Sequence, residues 1–330
     1  MAIRSLIHMR RYAGTALAAL AAAALVGPTS APAAARQATQ RAPGPTIITT
    51  DVDRFYALYD RAGGHPDAAQ LQAYIDTGSS GLRHFAAARR TTGARIAAAI
   101  AAHPEVYADA RRCAAVLPRV RPRLDAALRR LARLYPEARF PPITVVIGRG
   151  RPVAIGSPSG AEVGLEALCA VRYLDPNLED RFLRVLVHEF AHTLQSPVLG
   201  DVEHPSVLRA SLAEGVAEFV TELVTGDISY SHLRPIVAGR ETEIERAFLA
   251  DKDKTDLGAW LYNGSLDRPG DLGYWVGYRI VKAYYRNAPD KRRALREIFQ
   301  MTDPDAFLAA SGWHPGMSLR TRAGGGRHFR

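Results

Sequence analysis

The sequence predicts an α+β chain, mostly helical, with one small sheet. Three observations predict it. Apolar residues recur at helical spacing over most of the chain, one compact β-branched run stands at 143–147, and long two-sided helical stretches follow that run. Composition agrees: 330 residues, 47% hydrophobic and 23% charged, can bury a sizeable core and are unlike a disordered chain. A mean hydropathy of -0.12 excludes a polytopic membrane protein.

The first 35 residues stand apart. Arg4, Arg10 and Arg11 precede an uncharged run over 12–26, followed by Ala33-Ala34-Ala35. A basic start, a short apolar run and a small-residue cleavage site are the order of a secretory signal. The run is about 15 residues, short of the roughly 20 that span a bilayer, so a cleaved signal is expected ahead of a retained anchor. Arg10-Arg11 hints at twin-arginine export, but Ala13-Gly14 stand where bulky apolar residues are expected, which favours Sec export to the periplasm or medium. No Cys follows the apolar run, so no lipid anchor is expected. Removing residues 1–35 takes away three Arg and no acidic residue, moving the formal charge from +10 to +7. A basic exterior fits an anionic cell-envelope surface. The Arg are scattered over Ala-rich helical faces without interleaved aromatics, so no nucleic-acid partner is expected.

Residues 36–46 are polar and Pro-rich, a linker. An N-terminal helical region is expected over 47–139. It opens at Asp51-Val52-Asp53 and continues through Phe55, Leu58, Ile96, Ile100, Leu124, Leu128 and Leu131 at helical spacing. The strand at 143–147 begins a second region, 140–314, with one or two further strands over 152–168. Helices are expected near 178–195, 206–225, 241–249 and 272–286. The Gly- and Arg-rich tail, 315–330, is expected to be disordered. Cys113 and Cys169 allow one disulfide or two buried thiols, and their separation lacks the close Cys pairs of a structural zinc site.

Residues 188–192 read His-Glu-Phe-Ala-His. On a helix, positions i and i+4 share a face about 5–6 Å apart, so His188 and His192 can meet one ion. Glu189 lies about 100° round the helix, at the edge of that face, where it can act as general base on a water. Three fixed positions in five are weak evidence alone, so the flanks must decide. Phe182, Leu183, Leu186, Val187, Phe190 and Leu194 form an apolar stripe, with Arg181, Arg184, His188, Glu189, His192 and Gln195 opposite. A second helix offers Glu214 as third ligand, leaving a fourth position for water, as zinc sites that do chemistry require. Leu212, Val216, Phe219, Val220 and Leu223 form its core side, and Glu214, Glu218 and Thr221 share the other. Glu218, one turn on, is placed to accept the spare N–H of a ligand His. Gly215 is expected to let this helix approach the His-Glu helix closely. Asp201 and His204 are rival ligands from a loop, a less rigid support than a helix. His65, His84, His103, His232, His314 and His328 stand alone and are expected to be surface or hydrogen-bonded residues.

The order of strand, His-Glu-x-x-His helix and Glu-Gly-x-Ala-Glu helix resembles the gluzincin peptidases. The nearer similarity is to the DUF2268 family of zinc-dependent proteases, carried by Asp51-Val-Asp-Arg-Phe-Tyr, Asp76-Thr-Gly-Ser-Ser-Gly-Leu-Arg-His-Phe, Leu186-Val-His-Glu-Phe-Ala-His, Ala213-Glu-Gly-Val-Ala-Glu and Gly273-Tyr-Trp-Val-Gly-Tyr-Arg. Together they run over about 47–313. The resemblance implies a zincin-like core, a Zn²⁺ cofactor, a peptide or protein substrate, and an edge strand at 143–147 that pairs with extended substrate. It also implies, through Tyr274-Trp-Val-Gly277, a Tyr274 hydroxyl that stabilises the oxyanion, with Tyr278 the weaker candidate. Two alternatives stand beside the peptidase expectation: a non-catalytic zinc-binding cell-envelope scaffold, and a hydrolase of cell-wall peptide cross-links. Retention of Glu189 argues against the scaffold, because a structural site needs no base.

Overall fold

The computed structural model describes residues 45–150, 153–200, 202–264 and 270–319. The expected signal peptide, nearly all of the linker, and Asp201 and His328 lie outside the described residues. The chain begins with a short strand β1 (Ile47–Ile48) and six helices: α1 (Thr50–Arg61), α2 (Ala68–Asp76), α3 (Ser80–Ala88), α4 (Gly93–Ala102), α5 (Pro104–Ala114) and α6 (Leu117–Leu134). Three strands follow, β2 (Ile143–Val146), β3 (Ala154–Ser157) and β4 (Gly160–Gly164). The remaining helices are α7 (Leu165–Ala170), α8 (Leu178–His192), α9 (Pro197–Gly200), α10 (Val207–Thr225), α11 (Leu233–Val237), α12 (Glu241–Asp251), α13 (Leu272–Asn287), α14 (Lys291–Phe299) and α15 (Pro304–Ser311). The mostly helical α+β class is therefore observed. No helix among the described residues is long and apolar enough to cross a membrane.

The sheet order is β1-β2-β4-β3, with β2 parallel to β1 and β4, and β3 antiparallel to β4. This corrects the expectation for 143–147. All four residues of β2 are buried and the strand is paired on both sides. A run of Ile, Thr, Val and Val that is apolar on both faces belongs inside a sheet, not at its rim. The free edge beside α8 is β3, whose Ala-Ile-Gly-Ser sequence gives a weak strand signal. β1 also shows that the N-terminal region is not purely helical: it joins the same sheet, so 47–139 and 140–319 share one core.

Local sequence explains the elements that carry the site. Asn177 caps α8 by accepting from the Asp180 N–H, and Ser206 caps α10 by accepting from the Arg209 N–H. Gly226 ends α10 at a positive φ of 99°, which glycine adopts without steric cost. α10 departs from the two-faced expectation: apart from Arg209, every residue from Val207 to Thr221 is buried, including Ser211, Glu214 and Glu218. Its polar side faces inward, onto α8 and a cavity. Gly215 serves a different neighbour from the one expected. A side chain there would collide with the backbone of Gly277 and Tyr278, and one at Gly277 with the Ser211 carbonyl. The glycine pair brings α10 against α13, not against α8.

Two further expectations are resolved. Cys113 on α5 and Cys169 on α7 form a disulfide with Cα atoms 6.1 Å apart. Arg181, expected on the polar face of α8, is buried and donates to the carbonyls of Leu168, Cys169 and Asp175. It ties off the end of α7. Residues 315–319 are not a loose tail, because the Gly316 N–H donates to Glu245 and Leu319 is buried. The rest of the tail, 320–330, lies outside the described residues.

Candidate metal centre

One turn of α8 separates His188 from His192, and their Nε2 atoms face each other at 3.1 Å. From α10, Glu214 Oε2 lies 3.2 Å from His188 Nε2 and 3.3 Å from His192 Nε2. The structure thus brings the three together, with one ligand atom from each inside a 4.8 Å span.

The far side of each imidazole is held by an acceptor. His188 Nδ1 lies 2.8 Å from Glu218 Oε1. Glu218 also accepts from the Ser229 hydroxyl and from the N–H groups of Ser229 and Tyr230. Gln195 donates its Nε2 to the Ala213 carbonyl, so its Oε1 faces His192 Nδ1, at 3.1 Å. With protons on both Nδ1 atoms, both Nε2 atoms present lone pairs to a carboxylate oxygen. Three acceptors pointed at one another are repulsive unless protons or a cation lie among them. Tetrahedral ligands about 2.0–2.1 Å from zinc are themselves about 3.3–3.4 Å apart, close to the separations here. The donor set and its spacing fit zinc.

Electrostatics carry the same message. Burial pushes the His188 and His192 imidazoles down, but Glu214 overrides this at both, aided by Glu218 at His188, and their pKa values end up raised. Burial would raise Glu214, yet the two imidazoles hold it well below the carboxylate range.

Glu189 differs from its neighbours. It lines a cavity of about 870 Å³ with His188, His192 and Glu214, and its carboxylate accepts no hydrogen bond among the described residues. Burial raises its pKa, against the lowering effect of both His rings. The β3 edge forms one wall of the cavity. A side chain at Gly156 would strike the Glu189 carbonyl and the His192 Cβ, so glycine lets this edge rest on the motif turn itself.

Tyr274 also lines the cavity, stacked on Tyr230 at 4.2 Å and near the His188 ring at 6.1 Å. Tyr278 is elsewhere, donating to Glu222. His204 is exposed and pairs only with Glu203, so it is not part of the centre. Sequence reasoning missed Tyr262, Gln195 and Ser229 as parts of this site. The Tyr262 hydroxyl donates to Glu214 Oε1 at 2.9 Å, leaving Oε2 to face the imidazoles. Its backbone φ of 59° is an uncommon, strained value for a bulky residue. Only Gln195 had a local signal, one turn past His192 on the same face. His84 is hydrogen-bonded, as expected, but it lines the cavity too, with Nδ1 at 3.1 Å from buried Glu162 on β4.

Among known families, a model described as gliding motility protein GldB matches residues 241–315. That stretch runs from α12 to α15 and carries Tyr262 and Tyr274, but not His188, Glu189, His192 or Glu214. It covers under a quarter of the chain. No curated protein and no solved structure matches.

Proposed function

We propose that this protein is an exported zinc-dependent peptidase with a zincin-like core, in which His188, His192 and Glu214 hold the metal and Glu189 is the general base. The observation that carries the reading is the pairing of three mutually facing acceptors with a second carboxylate, Glu189, left unengaged beside them. Zinc would supply Lewis acidity, lowering the pKa of a water towards roughly 7 and polarising a carbonyl. The chain's own groups do the rest. Glu189 takes a proton from the attacking water and delivers it to the leaving amine. Glu218 and Gln195 hold the imidazole rings in one orientation. Tyr262 restrains Glu214, and Tyr274 is the proposed donor to the developing oxyanion. The open edge of β3 supplies peptide groups for an extended substrate.

A second reading is a non-catalytic zinc-binding component of the cell envelope. The observation favouring it is the match to a gliding motility protein over 241–315. Glu189→Gln separates the two. Gln keeps the shape but cannot take a proton, so this variant should retain zinc and fold while peptide hydrolysis falls at least 10²–10⁴-fold. Zinc content and cleavage are measured on the same preparations. Cleavage by the variant equal to the parent's removes Glu189 from the mechanism, and no cleavage of any peptide library by the parent favours the second reading.

A further inference from the structure

This inference rests on the peptidase reading and names a class of substrate for it. Arg89, the C-cap of α3, lines the cavity that holds His188, Glu189 and His192. No other Lys or Arg lines that cavity among the described residues. It is exposed, and no carboxylate pairs with it there. Its side chain makes one hydrogen bond, from Nη2 to the Ala154 carbonyl on β3, at a long 3.4 Å. A guanidinium has five N–H donors in a planar fork suited to a carboxylate, so most of that capacity is free.

Helix polarity alone explains a cation at the end of α3. It does not explain where the cation points. Arg89 reaches across to the sheet edge, and its positive field acts on both Glu189 and Tyr262. The edge also fixes its distance from the chemistry. The Val153 carbonyl is bonded to Gly164 of β4, so strand alternation turns Ala154 and Gly156 to the free edge. Gly156 rests on the Glu189–His192 turn. Ala154 is two residues away, about 7 Å along a strand.

We propose that Arg89 forms a carboxylate-recognising subsite, which selects peptides bearing a negative charge about two residues from the scissile bond. The carboxylate comes from an acidic side chain or from the C-terminus of the chain. Either displaces the long bond to Ala154 and gives the guanidinium a two-pronged partner.

The test uses the zinc-loaded full protein and matched peptides. One set exchanges Glu for Gln at each of three positions on either side of the cleaved bond, and another compares a free C-terminal acid with its amide. The parent should prefer a carboxylate at one position by about tenfold or more in kcat/KM, the scale of a charge-assisted hydrogen bond. Arg89→Gln should bring that ratio to about one, and Arg89→Lys should retain part of it, because the charge remains without the fork. Preference for the internal Glu identifies a side-chain subsite, and preference for the free acid alone identifies a terminal one; both support the inference. A parent that cleaves without discrimination, or a preference that survives Arg89→Gln, overturns it while leaving the peptidase reading intact. A parent that cleaves no peptide overturns both.

Discussion

Two buried charged clusters lie within this core, and they are built on opposite plans. In the first, Arg279 of α13 is bound to Glu245 of α12, whose other oxygen accepts from the Gly316 N–H at 2.6 Å, while Arg279 also donates to the Met317 carbonyl. Donors meet acceptors, and charge meets opposite charge. In the second, His188, His192 and Glu214 set three acceptors against one another at the wall of a cavity. Burial of charge alone therefore does not mark a site. The mark is an imbalance of donors and acceptors that protons or a cation must correct, beside an open cavity.

The comparison breaks if the two clusters respond alike to substitution. Glu245→Ala leaves the Arg279 cation buried without its partner, and breaking such a pair costs about 3–5 kcal/mol. Thermal unfolding should show a large drop in Tm, while the folded fraction keeps its zinc. Glu218→Gln should do the reverse. The fold should survive, and zinc affinity should fall roughly 10–100-fold, the usual cost of losing the partner that orients a ligand His. Competition with a chromophoric chelator reads this directly, and an unchanged affinity would reduce Glu218 to a packing residue.

A smaller effect sharpens the same contrast through pH. In zinc-free protein, His188 and His192 have pKa values raised above 6.5, so their contribution is complete below 6.5 and is lost as pH rises through the raised values. Glu214 is depressed below 4.5, so its contribution is present above 4.5 and is lost as pH falls through the depressed value. The metal-free centre is therefore most stabilising between about pH 4.5 and 6.5. Zinc-free parent protein should lose Tm from pH 6.5 to 9 more steeply than Glu214→Gln. One equivalent of zinc should reverse that trend, since the metal competes with protons for the same lone pairs. A parent and variant with parallel profiles would contradict the coupling.

The pattern of what was legible in the sequence follows from the range of each interaction. Helical spacing within α8 put His188, Glu189 and His192 on neighbouring positions, and the Glu218–His188 contact followed from one turn of α10. Both are local. The expectation for 143–147 found the strand but misplaced it, although Ile-Thr-Val-Val, apolar on both faces, carried the signal of an interior strand. β3 was hard to see because Ala-Ile-Gly-Ser is short and interrupted by the glycine that lets it rest on α8. α10 looked two-faced because Glu214 and Glu218 are polar, yet their partners lie inside the protein. Tyr262 and Ser229 reach the centre from loops 48 and 11 residues beyond the carboxylates they bind, and no periodicity reports such contacts. The disulfide needed the Cα positions of α5 and α7.

On the proposal made above, the unbalanced acceptors form a zinc centre on which hydrolysis depends. The most direct measurement is a titration of zinc into chelator-stripped protein, following bound metal and peptide cleavage together, for the parent and for the His188→Ala/His192→Ala double variant. Cleavage in the parent should return in step with one zinc per chain, and the double variant should take up no stoichiometric zinc and cleave nothing. Full activity in stripped protein, or one tightly held zinc in the double variant, would contradict the proposal.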